Sequence, residues 1–481
     1  MTTTARNPAT TKLIDTLGPD RVVVGDEALR RFAEDPTECA PRLPAVAVFP
    51  TSVGDVQQIL RIANETKTAV TVRVTAMNIG GLAIPHAGGI VVDLSRMDQI
   101  VSVDEEDMVA VVEPGVSWAA LKSRLDASAQ SVVVSYPLAP PETSVAACCL
   151  LDGTGTLTMR YGSMGDWIGG IEAVLANGEV VRTGAAAVTQ HWYGRAALPD
   201  LAGLFLNWQG TTGIVTKLAV QLWPKRRLRT RVFIPVHELL GGIALMRLLA
   251  RTGLFDDLGG LTWPAGRMLL GIDKPRARDK GEPEILFYLD ISADLEFEVM
   301  MKRAVLAEAI REVRSKGHHI DDPIPLDAIT DVNPEFKPLA EFPARLGFLI
   351  DNPGGGLTWV GTYGPMSRLP EGAKHGLEIM EKHGFPPLIV TRPMKGGHYC
   401  VLRFVITFAK RNAAEVERVR ACNRELIQVA LDHGFMTYKL PPWAAPELAA
   451  RIHPGTRALI ARVRQMMDPN RILAPDNLRF D

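Results

Sequence analysis

The stretch Val72 to Leu94 carries paired glycines at Gly80/Gly81 and Gly88/Gly89 between two apolar, strand-like runs. Residues without a Cβ let successive backbone N–H groups turn inward and cradle an anion such as a pyrophosphate; a Gly-rich hairpin is the other reading of the same residues. A second small-residue stretch, Ser144-Val-Ala-Ala-Cys-Cys-Leu-Leu-Asp-Gly-Thr-Gly, either lets backbone approach a flat ligand or packs a helix tightly on a sheet. Its acid, Asp152, is an acid/base candidate or a carboxylate capping a glycine turn. His318-His319 beside Asp321-Asp322 imitates a metal site, but adjacent side chains diverge on a helix or strand, so a polar loop is expected and no metal site is assigned. His398-Tyr399 after Gly396-Gly397 reads as a surface turn into an edge strand. There is no Gly-x-Ser-x-Gly elbow and no Gly-x-x-x-x-Gly-Lys loop, which removes serine-hydrolase and P-loop chemistry. Gly153 to Gly155 lacks the third glycine of a Rossmann turn.

These residues need a scaffold, and the pattern supplies one. Residues 1–44 alternate helical stretches such as Thr11 to Leu17 and Glu27 to Glu34 with polar breaks. Ala45 to Phe49 is a strand, Thr51 or Ser52 caps a helix with the face Val53, Val56, Leu60 and Ala63, and Val70 to Val74 is the next strand. Beyond the glycine loop come the strand Ile90 to Leu94, a hairpin from Ile100 to Glu113, and a helix from Trp118 to Leu125. Asn177-Gly178 joins two strands by the strongest short hairpin signal. After Pro224-Lys-Arg-Arg the character shifts, placing a domain boundary near residue 225. Helices at Leu295 to Lys316, Lys374 to His383 and Ala413 to His433 then mix with strands at Glu284 to Ile291, Leu357 to Tyr363 and Tyr399 to Thr407, with a break at Gly354-Gly-Gly356. That mixture predicts an α+β domain of helices on an antiparallel sheet.

A chain of 481 residues exceeds what one core usually supports, so two or three domains are expected. Lys plus Arg number 53 against 54 Asp plus Glu, a balance that gives no reason to expect a nucleic-acid or anionic-membrane partner. No run is apolar and long enough to span a membrane, and the first residues lack the apolar core of a signal peptide. The five cysteines form neither an even disulfide framework nor a Cys-x-x-Cys pair, so a reducing, cytoplasmic setting is expected.

Five motifs taken in order carry a resemblance: Gly88-Gly-Ile-Val-Val-Asp-Leu-Ser-Arg-Met, Val112-Glu-Pro-Gly-Val-Ser-Trp, Val174-Leu-Ala-Asn-Gly-Glu-Val-Val-Arg-Thr-Gly, Gly210-Thr-Thr-Gly-Ile-Val-Thr-Lys and Met467-Asp-Pro-Asn-Arg-Ile-Leu-Ala-Pro. From about residue 45 to the C-terminus the chain resembles the vanillyl-alcohol oxidase / p-cresol methylhydroxylase family of FAD enzymes. The resemblance implies an α+β fold: an FAD-binding domain of two α+β subdomains over 45–225, a cap domain with an antiparallel sheet over 226–465, and a tail, 466–481, returning to the FAD domain. The family's pyrophosphate loop falls on Ala76, Met77, Asn78, Ile79, Gly80, Gly81 and Leu82. Segments lining the flavin and the adenosine fall on Pro137, Thr143 and Ser144, on Gly162, Asp166 and Trp167, and on Gly210, Gly213, Ile214 and Val215. Asp152 matches an acid near the reactive flavin edge and is assigned as acid/base or flavin-tuning group.

At the substrate end the match loosens. Tyr438-Lys439 stands where relatives use Tyr-Arg to hold a phenolate, and a lysine point charge does not replace a planar guanidinium. Gly80-Gly81 replaces a Gly-Tyr whose tyrosine also touches the phenolate, so an alcohol, an amine or an acidic or carbonyl-bearing molecule is as open as a simple alkylphenol. Relatives bond the flavin through a His or Tyr near Phe348-Leu-Ile-Asp-Asn-Pro-Gly-Gly-Gly, where this chain has neither, so non-covalent FAD is expected. Positive charge near the flavin N1/C2 carbonyl is assigned to Lys439, Arg471 or Arg479. The expected activity is oxidation of a small aromatic or hydroxylated substrate by hydride transfer to flavin N5. A 2-hydroxy-acid dehydrogenase of the lactate or glycolate type, or a non-catalytic flavin-binding electron-transfer subunit, are the rival readings. Expected partners are the substrate, an electron-acceptor protein and a second copy of the chain in a homodimer.

Overall fold

The computed structural model describes residues 8–77, 79–129, 131–195 and 198–480. Its first sheet is built on a parallel β-α-β unit: Val46–Val48 and Val70–Arg73 both pair in parallel with Ile90–Asp93. The connecting helix, Val53–Thr66, begins where the Ser52 hydroxyl accepts the Asp55 N–H at 3.1 Å and ends at Lys67 with φ 49°. It buries Val56, Ile59, Leu60 and Ala63 against Leu13 and Leu17 of the helix Pro8–Leu17. The N-terminal segment is not helical throughout. Val22–Val23, set between turns at Gly18 and Gly25, pairs antiparallel with Val48 and Ala47 and so becomes the edge of this sheet. The C-terminal tail closes the opposite edge: Val70 N–H donates to Ile472 O at 2.7 Å and Ala474 N–H to Val70 O at 2.8 Å.

The second sheet is antiparallel, in the order Ile100–Asp104, Val109–Val112, Ile214–Gln221, Ile168–Val174, Val180–Arg182. Its last hairpin turns at Gly178, φ 84°, where Asn177 Oδ1 accepts the Glu179 N–H at 2.9 Å. The third has eight strands, ordered Ile324–Pro325, Leu228–Val236, Ile285–Ala293, Leu258–Thr262, Ile389–Met394, Tyr399–Ala409, Gly355–Gly364, Met436–Thr437. Period-two alternation gives this sheet two working faces. Leu402, Phe404 and Ile406 pack with Leu369, Ala373, Val419 and Leu426 of the covering helices. On the other face Leu261, Leu357 and Val405 join Ile79, Val145 and Met164 of the first half of the chain. Glycines at 354–356 do not interrupt the sheet. A Cβ at Gly354 or Gly356 would lie 2.3 or 2.6 Å from Phe408 O, so glycine lets the strand Gly355–Gly364 start flush against its neighbour.

Residues 34–42 cross from the first sheet to the third. Leu357 N–H donates to Pro36 O at 2.9 Å, Arg420 donates to Glu38 O at 2.8 Å, and Glu38 Oε1 accepts from Asn423 and Trp443, both at 3.1 Å. Glu38 Oε2 has no partner, and burial holds this carboxyl above the usual range, against the hydrogen bonds that favour its charge. A carboxyl raised in the folded state stabilises the fold below its unfolded pKa and loses that contribution as pH rises through the folded value. Glu38→Gln keeps the acceptor and removes the charge. It is expected to raise the melting temperature by roughly 2–4 °C at about pH 8 and by less at about pH 5, read by thermal unfolding at both.

Candidate active site

Between the third sheet and the two smaller ones lies a cleft of two adjoining cavities that share Thr75, Met77, Ala147 and Leu151. Among the described residues, no Asp, Glu or His lines either cavity.

The smaller cavity is walled by Ala76, Met77 and Leu82 of the glycine loop, by Gly210, Gly213, Ile214 and Val215, and by Ala474 and Asn477 of the tail. Ala76 sits at φ 53° and Gly210 at φ 79°, tight local turns that set backbone rather than side chains against the cavity. Gln209 also lines it, and its buried Oε1 has no partner in the protein, an acceptor waiting for a donor such as an exocyclic amine. The rest of the described lining is mainly apolar, with Leu94, Leu150, Leu151 and Phe205 beside the polar Thr75, Thr212, Asn477 and Arg73, the last paired with Asp93 at 3.3 Å, and apolar walls with a few polar groups fit a nucleotide cofactor.

The larger cavity is roofed by the third sheet, and register decides what faces it. Val401, Arg403 and Val405 are alternate residues of one strand and all line the cavity; so do Val390 and Arg392, and Leu357 and Trp359. Arg403 is paired across with Val390 on one side and Gly361 on the other. A Cβ at Gly361 would lie 2.9 Å from the Tyr438 ring, so glycine here makes room for that ring. Tyr438 stacks on Tyr363 with centroids 4.4 Å apart and 10° between planes, and its hydroxyl is bonded by the Arg403 guanidinium. The guanidinium also lies over the Trp359 ring at 5.0 Å, and Lys439 Nζ approaches the Trp359 and Tyr438 rings at 5.9 and 5.8 Å. Arg403 Nε and Trp359 Nε1 are buried without partners. Among the described residues no carboxylate is paired with Arg403 or Lys439, so two cations converge on the cavity with no internal counter-charge. Arg392 differs: it bonds Tyr288 Oη and Gly155 O and stands 3.5 Å from the Asp257 carboxylate. Burial disfavours its charge, but Asp257 and Tyr288 outweigh that and raise its pKa.

The residues singled out from sequence fall into distinct places. Ala76, Met77, Leu82, Gly210, Gly213, Ile214 and Val215 line the smaller cavity; Met77, Ile79, Pro137, Thr143, Ser144, Tyr438 and Lys439 line the larger. Asn78 lies outside the described residues. Gly80 and Gly81 are buried to one side, and a Cβ on Gly81, at φ 72°, would meet Cys39 Sγ at 2.6 Å. Gly162, Asp166 and Trp167 form a turn behind the wall: Asp166 Oδ2 accepts the Ser163 N–H at 3.2 Å, and Trp167 packs edge-on to Trp223. Arg471 and Arg479 are exposed; it is Ala474 and Asn477 that the tail brings to the cavity.

Asp152, expected near the reactive edge as acid/base, is not among the residues lining either cavity. Its φ of 51° rotates the side chain behind the wall formed by Leu151, Gly153 and Thr154, and Oδ1 accepts the Gly165 N–H at 2.8 Å. Burial raises its pKa, with Ser163 and the Gly165 N–H opposing. Its carbonyl accepts the Tyr363 hydroxyl, the residue on which Tyr438 stacks, so it reaches the site through position rather than contact.

Arg403, Arg392, Trp359, Tyr363 and Tyr288 went unmarked in the sequence reading. The signal for the first was present: Val401-Leu-Arg403-Phe-Val405 places a charge on the same face as two apolar residues of a half-buried strand.

Residues 44–184 match a family model described as an FAD binding domain. The chain is 26% identical to the 4-cresol dehydrogenase (hydroxylating) flavoprotein subunit of Pseudomonas putida, over 99% of this chain and 96% of that one. It is 34% identical to the mitochondrial D-lactate dehydrogenase (cytochrome) of Arabidopsis thaliana, over 38% of this chain but only 31% of the relative's length. The crystal structure of p-cresol methylhydroxylase with substrate bound superposes with a TM-score of 0.86 at 22% identity, covering 98% of this chain and 96% of that one, which establishes a common fold. Residues 44–184 thus form an FAD-binding domain, FAD is the cofactor, and the chain as a whole is similar to the 4-cresol dehydrogenase flavoprotein subunit and has the fold of p-cresol methylhydroxylase.

Proposed function

We propose that the protein oxidises a small aromatic, hydroxylated molecule that binds as an oxyanion between Tyr438, Arg403 and Lys439. The observation that carries this reading is the pair of cations, Arg403 and Lys439, facing a cavity that, among the described residues, is lined by no carboxylate and no imidazole. Bound FAD supplies a hydride acceptor. The glycine loop and the turn at 210–215 hold its phosphates and adenosine, and the larger cavity takes the flavin ring and the substrate. Without a carboxylate or histidine lining the cavity, the electron push for C–H cleavage comes from the substrate's own ionised oxygen. The Arg403 guanidinium, the Lys439 ammonium and the Tyr438 hydroxyl stabilise that oxygen by charge-assisted hydrogen bonds. Asp152 acts as a positioning residue, through Tyr363, on Tyr438. The apolar roof of Leu261, Val390 and Leu357 excludes water from the reacting carbon.

Anaerobic mixing of the yellow protein with hydroxylated aromatics tests the reading. Bleaching of the visible flavin bands by a phenol or benzylic alcohol is the expected result, and indifference to every such compound overturns it. A second reading has its own observation: Arg392 and Arg403 both line the cavity, the paired arginines a substrate carboxylate needs. D-lactate and glycolate belong in the same screen, and bleaching by either alone favours a 2-hydroxy-acid dehydrogenase. Bleached enzyme mixed with oxygen or with an oxidised cytochrome then separates an oxidase from a dehydrogenase that relies on an electron-acceptor protein.

Leu349 and Ile350, near where relatives bond the flavin, line the larger cavity and offer no atom for a covalent link. Denaturation in acid is therefore expected to release FAD to the supernatant and leave a colourless pellet.

A further inference from the structure

We propose that His237, His319 and Asp321 bind one divalent transition-metal ion, Zn(II), at the edge of the eight-stranded sheet, in a site separate from the cleft. The adjacent pair His318-His319 does diverge, as expected of neighbours: a Cβ at Gly241 would lie 2.8 Å from His318 Cβ, which places His318 against the helix Leu239–Thr252. Cross-strand register makes a different set. Ile320 bridges Val236 antiparallel, His237 N–H donates to His319 O at 3.0 Å, and Asp321 N–H donates to Pro235 O at 3.0 Å. Val236 and Ile320 point into the helix-covered core, so the residues on either side of them share the opposite face. His319 and Asp321 thus share a face by their spacing of two, and His237 stands directly opposite His319.

The donor atoms converge accordingly. His237 Nε2 is 3.0 Å from Asp321 Oδ2, His319 Nε2 is 3.4 Å from Asp321 Oδ1, and one ligand atom from each of the three residues lies within 4.8 Å of the others. Ligands bound at about 2.0–2.2 Å in a tetrahedron stand roughly 3.4 Å from one another, close to the separations already present. The two rings stack at 3.9 Å and 8°, and the His319 side chain, 63% exposed, can turn to aim its lone pair without disturbing the core. Two imidazoles and a carboxylate form a borderline donor set that suits Zn(II), with water completing the tetrahedron. Neighbouring charges are settled elsewhere: Arg314 is paired with Asp322 at 2.8 Å, and Arg278 donates to the His237 and Glu282 carbonyls. Glu238, whose carboxylate accepts the His319 N–H at 2.9 Å, adds negative potential beside the cluster. A bound ion would staple the segment after the helix Glu296–Ser315 to the end of the strand Leu228–Val236.

The test is calorimetric titration of ZnCl2 into chelator-washed, FAD-loaded protein, repeated with His319→Ala, Asp321→Asn and His318→Ala. The wild type and His318→Ala are expected to bind one equivalent that the other two variants lack or bind at least tenfold more weakly. Co(II) in place of zinc should give visible bands in the wild type that the same two variants lose. Retention of flavin absorbance and the far-ultraviolet spectrum identifies folded variants, and either variant suffices if the other is unstable. Equal zinc stoichiometry and affinity in the wild type and a folded His319→Ala or Asp321→Asn protein, or no binding by the wild type, overturns the assignment.

Discussion

Arg403→Ala is expected to lower the second-order rate of substrate-driven flavin reduction by about 10²–10³-fold, the largest catalytic effect of any single substitution in the cleft. The guanidinium bonds the Tyr438 hydroxyl and lies over the Trp359 ring, while its Nε is buried with no partner. Alanine removes a donor to the developing oxyanion and also releases Tyr438, whose stacking on Tyr363 at 4.4 Å leaves the hydroxyl to be aimed by the arginine. Arg403→Lys restores charge but not the fork that spans Tyr438 and a substrate oxygen, so recovery should be partial. Lys439→Met removes a point charge on the open side and should cost less, about tenfold, mainly through binding. Stopped-flow reduction over a range of substrate concentrations separates the two: Arg403→Ala lowers the limiting rate, whereas Lys439→Met raises the concentration needed to reach it. A limiting rate unchanged in Arg403→Ala would remove the arginine from the mechanism. Arg403 does not line the smaller cavity proposed to hold the phosphates and adenosine, so FAD content read from the visible absorbance of each variant separates loss of catalysis from loss of cofactor.

The first half of the chain was legible because its signals are local. The Ser52 cap, the alternation around Val109–Val112 and the Asn177-Gly178 turn are each decided within a few residues, and each stands where the sequence put it. The strands Leu258–Thr262 and Ile389–Met394 escaped notice because they are interior strands whose character is set by neighbours. Gly259 and Gly260 carry no side chain because the Tyr288 and Phe287 rings fill that space. The cleft behaves likewise. Tyr438 and Lys439 are contiguous and could be found by motif, but Arg403, Trp359 and Tyr363 become neighbours only through the register of Tyr399–Ala409 against Gly355–Gly364. Asp152 is singled out by its place beside Gly153, but a φ of 51°, which sequence does not display, decides that its carboxylate accepts the Gly165 N–H.

Arg231→Met is expected to destabilise the protein by about 3–5 kcal/mol, the largest stability effect in the molecule, and to lower the melting temperature by roughly 3–5 °C. Arg231 is buried and binds Asp290 through Nε at 2.6 Å and through a terminal nitrogen at 2.8 Å, Asp257 at 3.1 Å and the Leu339 carbonyl at 2.7 Å. Its plane lies over Phe342 at 4.4 Å and Tyr288 at 4.9 Å, so methionine can replace the packing but none of the charge. Two fully enclosed carboxylates would then share what Arg229 and Arg392 supply. Even with Arg231 present, burial keeps the Asp257 carboxyl above its ordinary value, while the arginines hold Asp290 below. Removing a neighbouring cation raises both. A carboxyl raised further in the folded state resists ionisation there while ionising freely in the unfolded chain, so stability falls as pH increases. The deficit of Arg231→Met should therefore widen from about pH 5 to about pH 8, read by thermal unfolding against the wild type. The damage also reaches the cleft, because Asp257 is the counter-charge of Arg392 and both Arg392 and Tyr288 line the larger cavity. A variant equally destabilised at both pH values would show that packing over Phe342 and Tyr288, and not charge, is what Arg231 contributes.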